Sequence, residues 1–218
     1  MQINTKLIIF DFDGTLADTL AALLRITNRL APEFGYQHIS DQQLTNLQYL
    51  NVWEVIKFSK VALWKLPFLL KRVKQEFRKE VKHIQLFPGI IDLLITLKSQ
   101  GYRLGIVSSN SETNIRSILK QNEIEYLFDF ISSASTFGKG KVINTMMSRY
   151  NYTKSDAIYI GDEIRDIKAA RSIKMRVIAV SWGFNAATTL LSEQPDLIIT
   201  TPQALIYALD NKTSARNL

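Results

Sequence analysis

Six short apolar runs punctuate this chain, and their spacing restricts the fold more than any other feature. They are Leu7 to Phe10, Arg103 to Val107, Phe128 to Ile131, Ala157 to Ile160, Val177 to Val180 and Leu197 to Ile199. From residue 85 onward they are separated by stretches of helical periodicity, as with Ile90, Leu93, Leu94 and Leu97 ahead of Gly101. Short strands alternating with helices of about ten residues predict βαβ units, and hence an α/β fold with a Rossmann-like parallel sheet covered on both faces. Right-handed crossovers then bring the C-terminal ends of the strands to one edge, where sites form.

The stretch from residue 18 to 84 has no strand-like alternation. Asp18 or Thr19 can cap a helix carrying Leu20, Leu23, Leu24 and Leu30, with Pro32 and Gly35 near its end. Ser40 can cap a second helix through Tyr49, and Asn51 a third carrying Trp53, Val55, Ile56 and Val61. Pro67 suits the first turn of a fourth, which runs to about Lys82. The expected organisation is an α/β core of residues 1–16 and 85–218 with a helical cap, 17–84, inserted after the first strand. The last eight residues, Asn211 to Leu218, are polar and read as a frayed end.

The 218 residues include no cysteine, which excludes disulfides, thiolate zinc sites and cysteine nucleophiles. The histidines, His38 and His83, are too few for a histidine-rich metal cluster and receive no catalytic role. The N-terminal apolar run is four residues long and ends in Asp11, so it does not read as a signal peptide. The most apolar alternative span, Val61 to Leu70, is broken by Lys65 and Pro67. A cytoplasmic protein, monomer or dimer, is expected.

The net charge of +7 is concentrated. Residues 57–82 hold nine basic groups and two acids, so the whole excess lies there. Three readings stay open: a solvated helix face, guidance of an anionic phosphate ester, or docking on nucleic acid or an anionic membrane aided by Trp64, Phe68 and Phe77. Phe68, Val73 and Phe77 are expected to share a face, which could equally be the cap's own core.

The residues that carry chemistry fall at strand ends. Asp11 and Asp13, in Asp11-Phe12-Asp13-Gly14-Thr15, follow the first run. Two carboxylates so placed repel each other unless a cation or proton lies between them. The pair suits a magnesium-assisted phosphoryl-transfer site, one carboxylate attacking phosphorus and the other handling the proton. Ser108, Ser109 and Asn110 follow the second run, Lys139 and Lys141 the third, and Asp162, Glu163 and Asp166 the fourth. Alone, the Ser-Ser-Asn stretch reads as a capped turn and the lysines as solvated. Trp182-Gly183-Phe184, after the fifth run, reads either as a packed loop or as a wall of the site.

These four motifs, in this order, resemble the haloacid dehalogenase superfamily, above all its phosphoglycolate phosphatase-like branch with a helical cap after the first motif. The resemblance covers essentially the whole chain, and the pairing of DFDGT with Gly161-Asp-Glu-Ile-Arg-Asp166 is specific. It implies that Asp11 is the nucleophile and Asp13 the acid and base. It implies Mg2+ held by Asp11, the Asp13 carbonyl and Asp162. Lys139 and Ser108 would bind the phosphoryl group, helped by Ser109, Asn110 and backbone amides at Phe12 and Asp13. Glu163 and Asp166 would orient their neighbours. Lys139 is favoured because Gly138 and Gly140 flank it and its 22-residue distance from Gly161 matches the family's spacing; Lys141 stays as the alternative. An acid at Asp13 points to a phosphate monoester, which needs a protonated leaving group, rather than a carbon–halogen bond. The implied substrate is a small phosphorylated metabolite. A phosphosugar mutase with the same nucleophile, and a basic-cap binding module, remain alternatives.

Overall fold

The computed structural model describes residues 5–135 and 138–214. The first apolar run forms strand β1 (Leu7–Phe10), every residue of which is buried. After the DFDGT turn, the chain makes a two-residue strand, β2 (Ala17–Asp18), and enters helix α1 (Leu20–Phe34). Gly35, at φ 75°, ends that helix by donating its N–H to the Ala31 carbonyl. Helices α2 (Asp41–Leu47) and α3 (Val52–Ser59) each begin with a capping box, Ser40 with Gln43 and Asn51 with Glu54. Lys60 ends α3 in a left-handed conformation, so Val61 lies beyond the helix expected to carry it. Helix α4 (Leu66–Glu80) starts with Pro67 in its first turn.

Strand β3 (Gln85–Leu86) then pairs antiparallel with β2. Two-residue strands leave no alternation to read, and this ribbon was not expected. The rest of the chain alternates as the apolar runs require. Its elements are α5 (Ile90–Ser99), β4 (Arg103–Ser108), α6 (Glu112–Gln121), β5 (Phe130–Ser133), α7 (Lys139–Arg149), β6 (Ala157–Gly161), α8 (Ile164–Ser172), β7 (Arg176–Val180), α9 (Ala187–Ser192), β8 (Leu197–Ile199) and α10 (Pro202–Ser214). Strand β5 starts two residues after the expected Phe128. Asp129 is taken up beforehand: its N–H donates to the Leu104 carbonyl at 2.8 Å, and its carboxylate lies 2.9 Å from both Lys98 and Arg103. Helix α10 runs into the polar tail as far as Ser214; the remaining residues expected to fray, 215–218, lie outside those described.

The six long strands form one parallel sheet in the order β5-β4-β1-β6-β7-β8. Successive side chains alternate between two cores. Ile8, Phe10, Ile106 and Ile160 face α5, α6 and α10; Leu7, Ile9, Val107 and Tyr159 face α7 and α8. With both faces covered, the strands carry continuous apolar runs rather than alternating ones.

Between β2 and β3 all regular structure among the described residues is helical. The basic excess partly serves to hold these helices together. Glu76 lies within 3.6 Å of Arg29, 3.3 Å of Arg72 and 2.9 Å of Lys79, while Glu80 pairs with Arg25 and Arg29. Phe77 is 2% exposed and Phe68 61%. The face expected to unite them does not exist, because their separation is about two and a half helical turns and puts them on opposite sides. Among the described residues, no helix is long and apolar enough to cross a membrane.

Candidate active site

The centre of the sheet edge is the turn after β1. Asp11 is fully buried there, and one of its oxygens accepts the Phe12 N–H at 2.7 Å. The Phe12 carbonyl accepts the N–H groups of Leu16 and Ala17, closing the turn. Gly14, at φ 77°, lets the turn pass against Asp162: a Cβ on Gly14 would lie 2.1 Å from Asp162 Oδ2. No other residue fits that space in that conformation.

Lys139, at the start of α7, is 2% exposed. Its Nζ lies 2.7 Å from Asp11 Oδ2 and 2.5 Å from Asp166 Oδ1. Burial pulls its pKa down, but the Asp11 and Asp166 carboxylates outweigh that and hold it above the ordinary lysine value. Lys141, two residues further on, is exposed. Asp162 follows β6; its Oδ1 accepts the Thr15 hydroxyl at 2.7 Å and its Oδ2 the Phe184 N–H at 2.8 Å. The second oxygen of Asp166 accepts the Glu163 N–H, so Asp166 both holds Lys139 and caps α8.

Asp11, Asp162 and Asp166 each offer an oxygen within 4.8 Å of the others, a grouping able to hold a metal ion. Burial, then the neighbouring carboxylates, push Asp162 well above the usual carboxylate range, and burial pushes Asp166 up to about 6. Such a set of hard oxygen donors, costly to keep ionised, fits a divalent cation of the magnesium type. In all three carboxylates both oxygens already accept a hydrogen bond, and Asp11 and Asp166 share the Lys139 ammonium.

Asp13 stands on the outer side of this cluster, 7% exposed. Burial and then the Asp11 charge push its pKa up to about 7, against the Asn110 amide, which donates to Asp13 Oδ1 at 3.1 Å. An acid poised there can give a proton and take it back near neutral pH. Ser108 is fully buried at the end of β4, next to β1, and its hydroxyl oxygen accepts the Asn110 N–H at 3.3 Å. Ser109 faces a cavity of about 420 Å³ that it shares with Asp13, Asn110, Arg165 and, from α4, Leu70, Val73, Lys74 and Phe77.

Several participants escaped the sequence reading. Thr15 was present in the motif but had no role. The 182–184 loop is both packed support and part of the wall: Trp182 donates to the Thr15 carbonyl at 3.0 Å, the Phe184 N–H donates to Asp162, and Phe184 lines the cavity beside Asp13. Asn185 accepts the Ile164 N–H and donates to the Gln48 and Leu50 carbonyls, tying this loop to the turn between α2 and α3. Arg165, between the two acids of the GDEIRD motif, pairs with Glu163 and lies beside the cavity. Glu163 is engaged by that pair and by the capping box of α8. Only the position of Arg165 between strand-end acids could have drawn attention to it.

Comparison with known proteins bears on the family and the fold. Residues 8–180 match the family model of haloacid dehalogenase-like hydrolases. A phosphoglycolate phosphatase from Synechococcus elongatus is 35% identical over 203 residues, covering 93% of this chain and 96% of that one. A phosphoglycolate phosphatase from Aliivibrio fischeri is 25% identical, covering 89% and 92%. Among solved structures, a haloacid dehalogenase-like family hydrolase from Streptococcus pneumoniae superposes with a TM-score of 0.79 at 26% identity, covering 94% of this chain and 99% of that one. A predicted phosphatase from Clostridium acetobutylicum shares the fold with a TM-score of 0.83 at 21% identity, covering 95% and 99%. The chain thus belongs to the haloacid dehalogenase-like hydrolases.

Proposed function

We propose that this enzyme is a magnesium-dependent phosphatase that hydrolyses a small phosphate monoester, 2-phosphoglycolate by the names of its relatives, through an aspartyl-phosphate. The observation that carries the reading is the buried contact of Asp11 with Lys139, 2.7 Å apart, beside an Asp13 whose pKa is pushed up to about 7. In the first step an Asp11 carboxylate oxygen forms a bond to phosphorus and the bond to the ester oxygen breaks. The departing oxygen takes its electron pair and the Asp13 proton. In the second step water attacks phosphorus and gives a proton to Asp13, and the Asp11 carboxylate is released together with phosphate.

Lys139 balances charge on the phosphoryl oxygens, with Ser108 and the turn amides at Phe12 and Asp13 as neutral donors. Asp166 positions Lys139, and Ser109 and Asn110 line the approach. Mg2+ held by Asp11, Asp162 and the Asp13 carbonyl would supply charge neutralisation between nucleophile and phosphate. Lys141 is too exposed for the Lys139 role. The helices of residues 17–84 act as a cap over the site, with hinges at 16–19 and 83–87.

Asp11→Asn tests the chemistry. Turnover of 2-phosphoglycolate should fall by about 10⁴-fold or more, and phosphate trapped on the wild-type protein should be absent from the variant. Wild-type turnover in Asp11→Asn would remove Asp11 as nucleophile. Activity unaffected by a chelator would remove the metal. Analysis of the product separates hydrolysis from the mutase alternative, since only the mutase returns phosphate to a sugar hydroxyl.

A further inference from the structure

Arg165 has no role in the chemistry just described, yet it lines the cavity that contains Asp13. It lies in the first turn of α8, three residues past Asp162 and one before Asp166, with its side chain 18% exposed. It borders three cavities, of about 370, 420 and 260 Å³, including the one that contains Asp13. Its fork is only partly used. One terminal nitrogen pairs with Glu163, while the buried Nε has no hydrogen-bond partner. Leaving a buried guanidinium N–H unpaired costs free energy, and a ligand acceptor would recover it.

The opposite wall of the 420 Å³ cavity is α4, which contributes Lys74 beside the apolar Leu70, Val73 and Phe77. The Lys74 carbonyl is held by Asn114, which also bonds Asn110, the partner of Asp13. The cavity next to the proton donor is thus flanked by two cations, one planar and one on the helical segment. Lys139 cannot serve a second anionic group, because it is buried between Asp11 and Asp166.

We infer that Arg165, assisted by Lys74, is the specificity-determining site for a carboxylate on the leaving-group side of the substrate. The fork of a guanidinium matches a carboxylate through two parallel N–H bonds, which a neutral hydroxyl cannot answer. The site would select short phosphorylated acids over phosphorylated alcohols of equal length. On the α4 side, Leu70, Val73 and Phe77 offer a polyhydroxyl chain no hydrogen-bond partner. This rests on the phosphoglycolate reading above and names the residue that enforces it.

The test compares 2-phosphoglycolate with 2-hydroxyethyl phosphate, which replaces the carboxylate by a neutral alcohol of nearly the same length. Both are assayed with wild type, Arg165→Met, Arg165→Lys and Lys74→Met in the magnesium-loaded protein. A wild-type preference for 2-phosphoglycolate in kcat/KM supports the underlying reading; absence of that preference overturns the substrate and the inference together. Given the preference, Arg165→Met should cut it by about 10- to 100-fold, mainly through KM. Arg165→Lys should restore part of it, and Lys74→Met should lower it less. Equal losses on both esters in Arg165→Met would overturn the inference alone, since Arg165 would then serve the phosphoryl group or the fold. A preserved preference would overturn it as well.

Discussion

At the scale of single residues, the site is an economy of close approaches. Gly14 and Gly183 both border Asp162: a Cβ on Gly183 would come within 2.3 Å of Asp162 Oδ2 and 2.4 Å of the Gly14 carbonyl. Neither contact is with the end of a long flexible chain that can swing aside. Gly14→Ala should therefore displace Asp162 and the turn bearing Asp13, and lower kcat by about 10²-fold. Steady-state kinetics over a range of magnesium concentrations would check this. Unchanged kcat at saturating magnesium would mean that the turn relaxes around the methyl group. Asp11, Asp13 and Asp162 were legible in the sequence because a carboxylate at the end of an apolar strand is conspicuous. Lys139 was legible only in register with them. Arg165 and Asn185 were not, since an arginine in a first helical turn and an asparagine in a loop are solvated by default. Only the tertiary contacts of Asn185 to Gln48 and Leu50, and the place of Arg165 against the cavity beside Asp13, reveal otherwise.

At the scale of elements, the strands were foreseeable because burial on both faces demands unbroken apolar runs. The β2–β3 ribbon was not, because a two-residue pairing is fixed by where the chain crosses, not by local composition. The helices between those strands depend on ion pairs as well as on packing. Glu76 is the hub: hydrogen bonding to Lys79, together with the Arg29 and Arg72 charges, holds its pKa below the ordinary 4.5. A group with a depressed folded-state pKa contributes stability above its unfolded value and loses it as pH falls through the folded value. The melting temperature of wild type should exceed that of Glu76→Gln at pH 7, and the gap should close as pH drops below about 4.5. Thermal unfolding of both proteins from pH 7 to pH 3 would show it. A gap that stays constant with pH would place the contribution of Glu76 in packing rather than charge.

At the scale of the whole molecule, the protein keeps a cluster of acids in its interior that folding alone does not favour. Asp11, Asp162 and Asp166 converge on one point, and burial pushes Asp162 and Asp166 toward the neutral form. In the presence of a chelator, Asp162→Asn should relieve this repulsion and raise the melting temperature, about 2–4 °C for each kcal/mol relieved. On the proposed magnesium site, the same change should abolish activity and the stabilisation that magnesium binding to the folded state would give the wild type. Thermal shifts with chelator and with magnesium, on both proteins, decide the matter. A variant less stable than wild type in chelator would show that the Thr15 and Phe184 bonds to Asp162 outweigh the repulsion.

The paired strands β2 and β3 have a mechanical consequence. The chain leaves the sheet for the helices and returns from them along two strands that are hydrogen-bonded side by side, and Ala17 also bridges back to Asp13. Two separate tethers would let the helical segment tumble in any direction. A laced pair bends about one axis and resists twisting, as a door leaf does on its pin. Any swing of the helices is therefore confined to a single arc, and the pin is anchored in the same loop that carries Asp13.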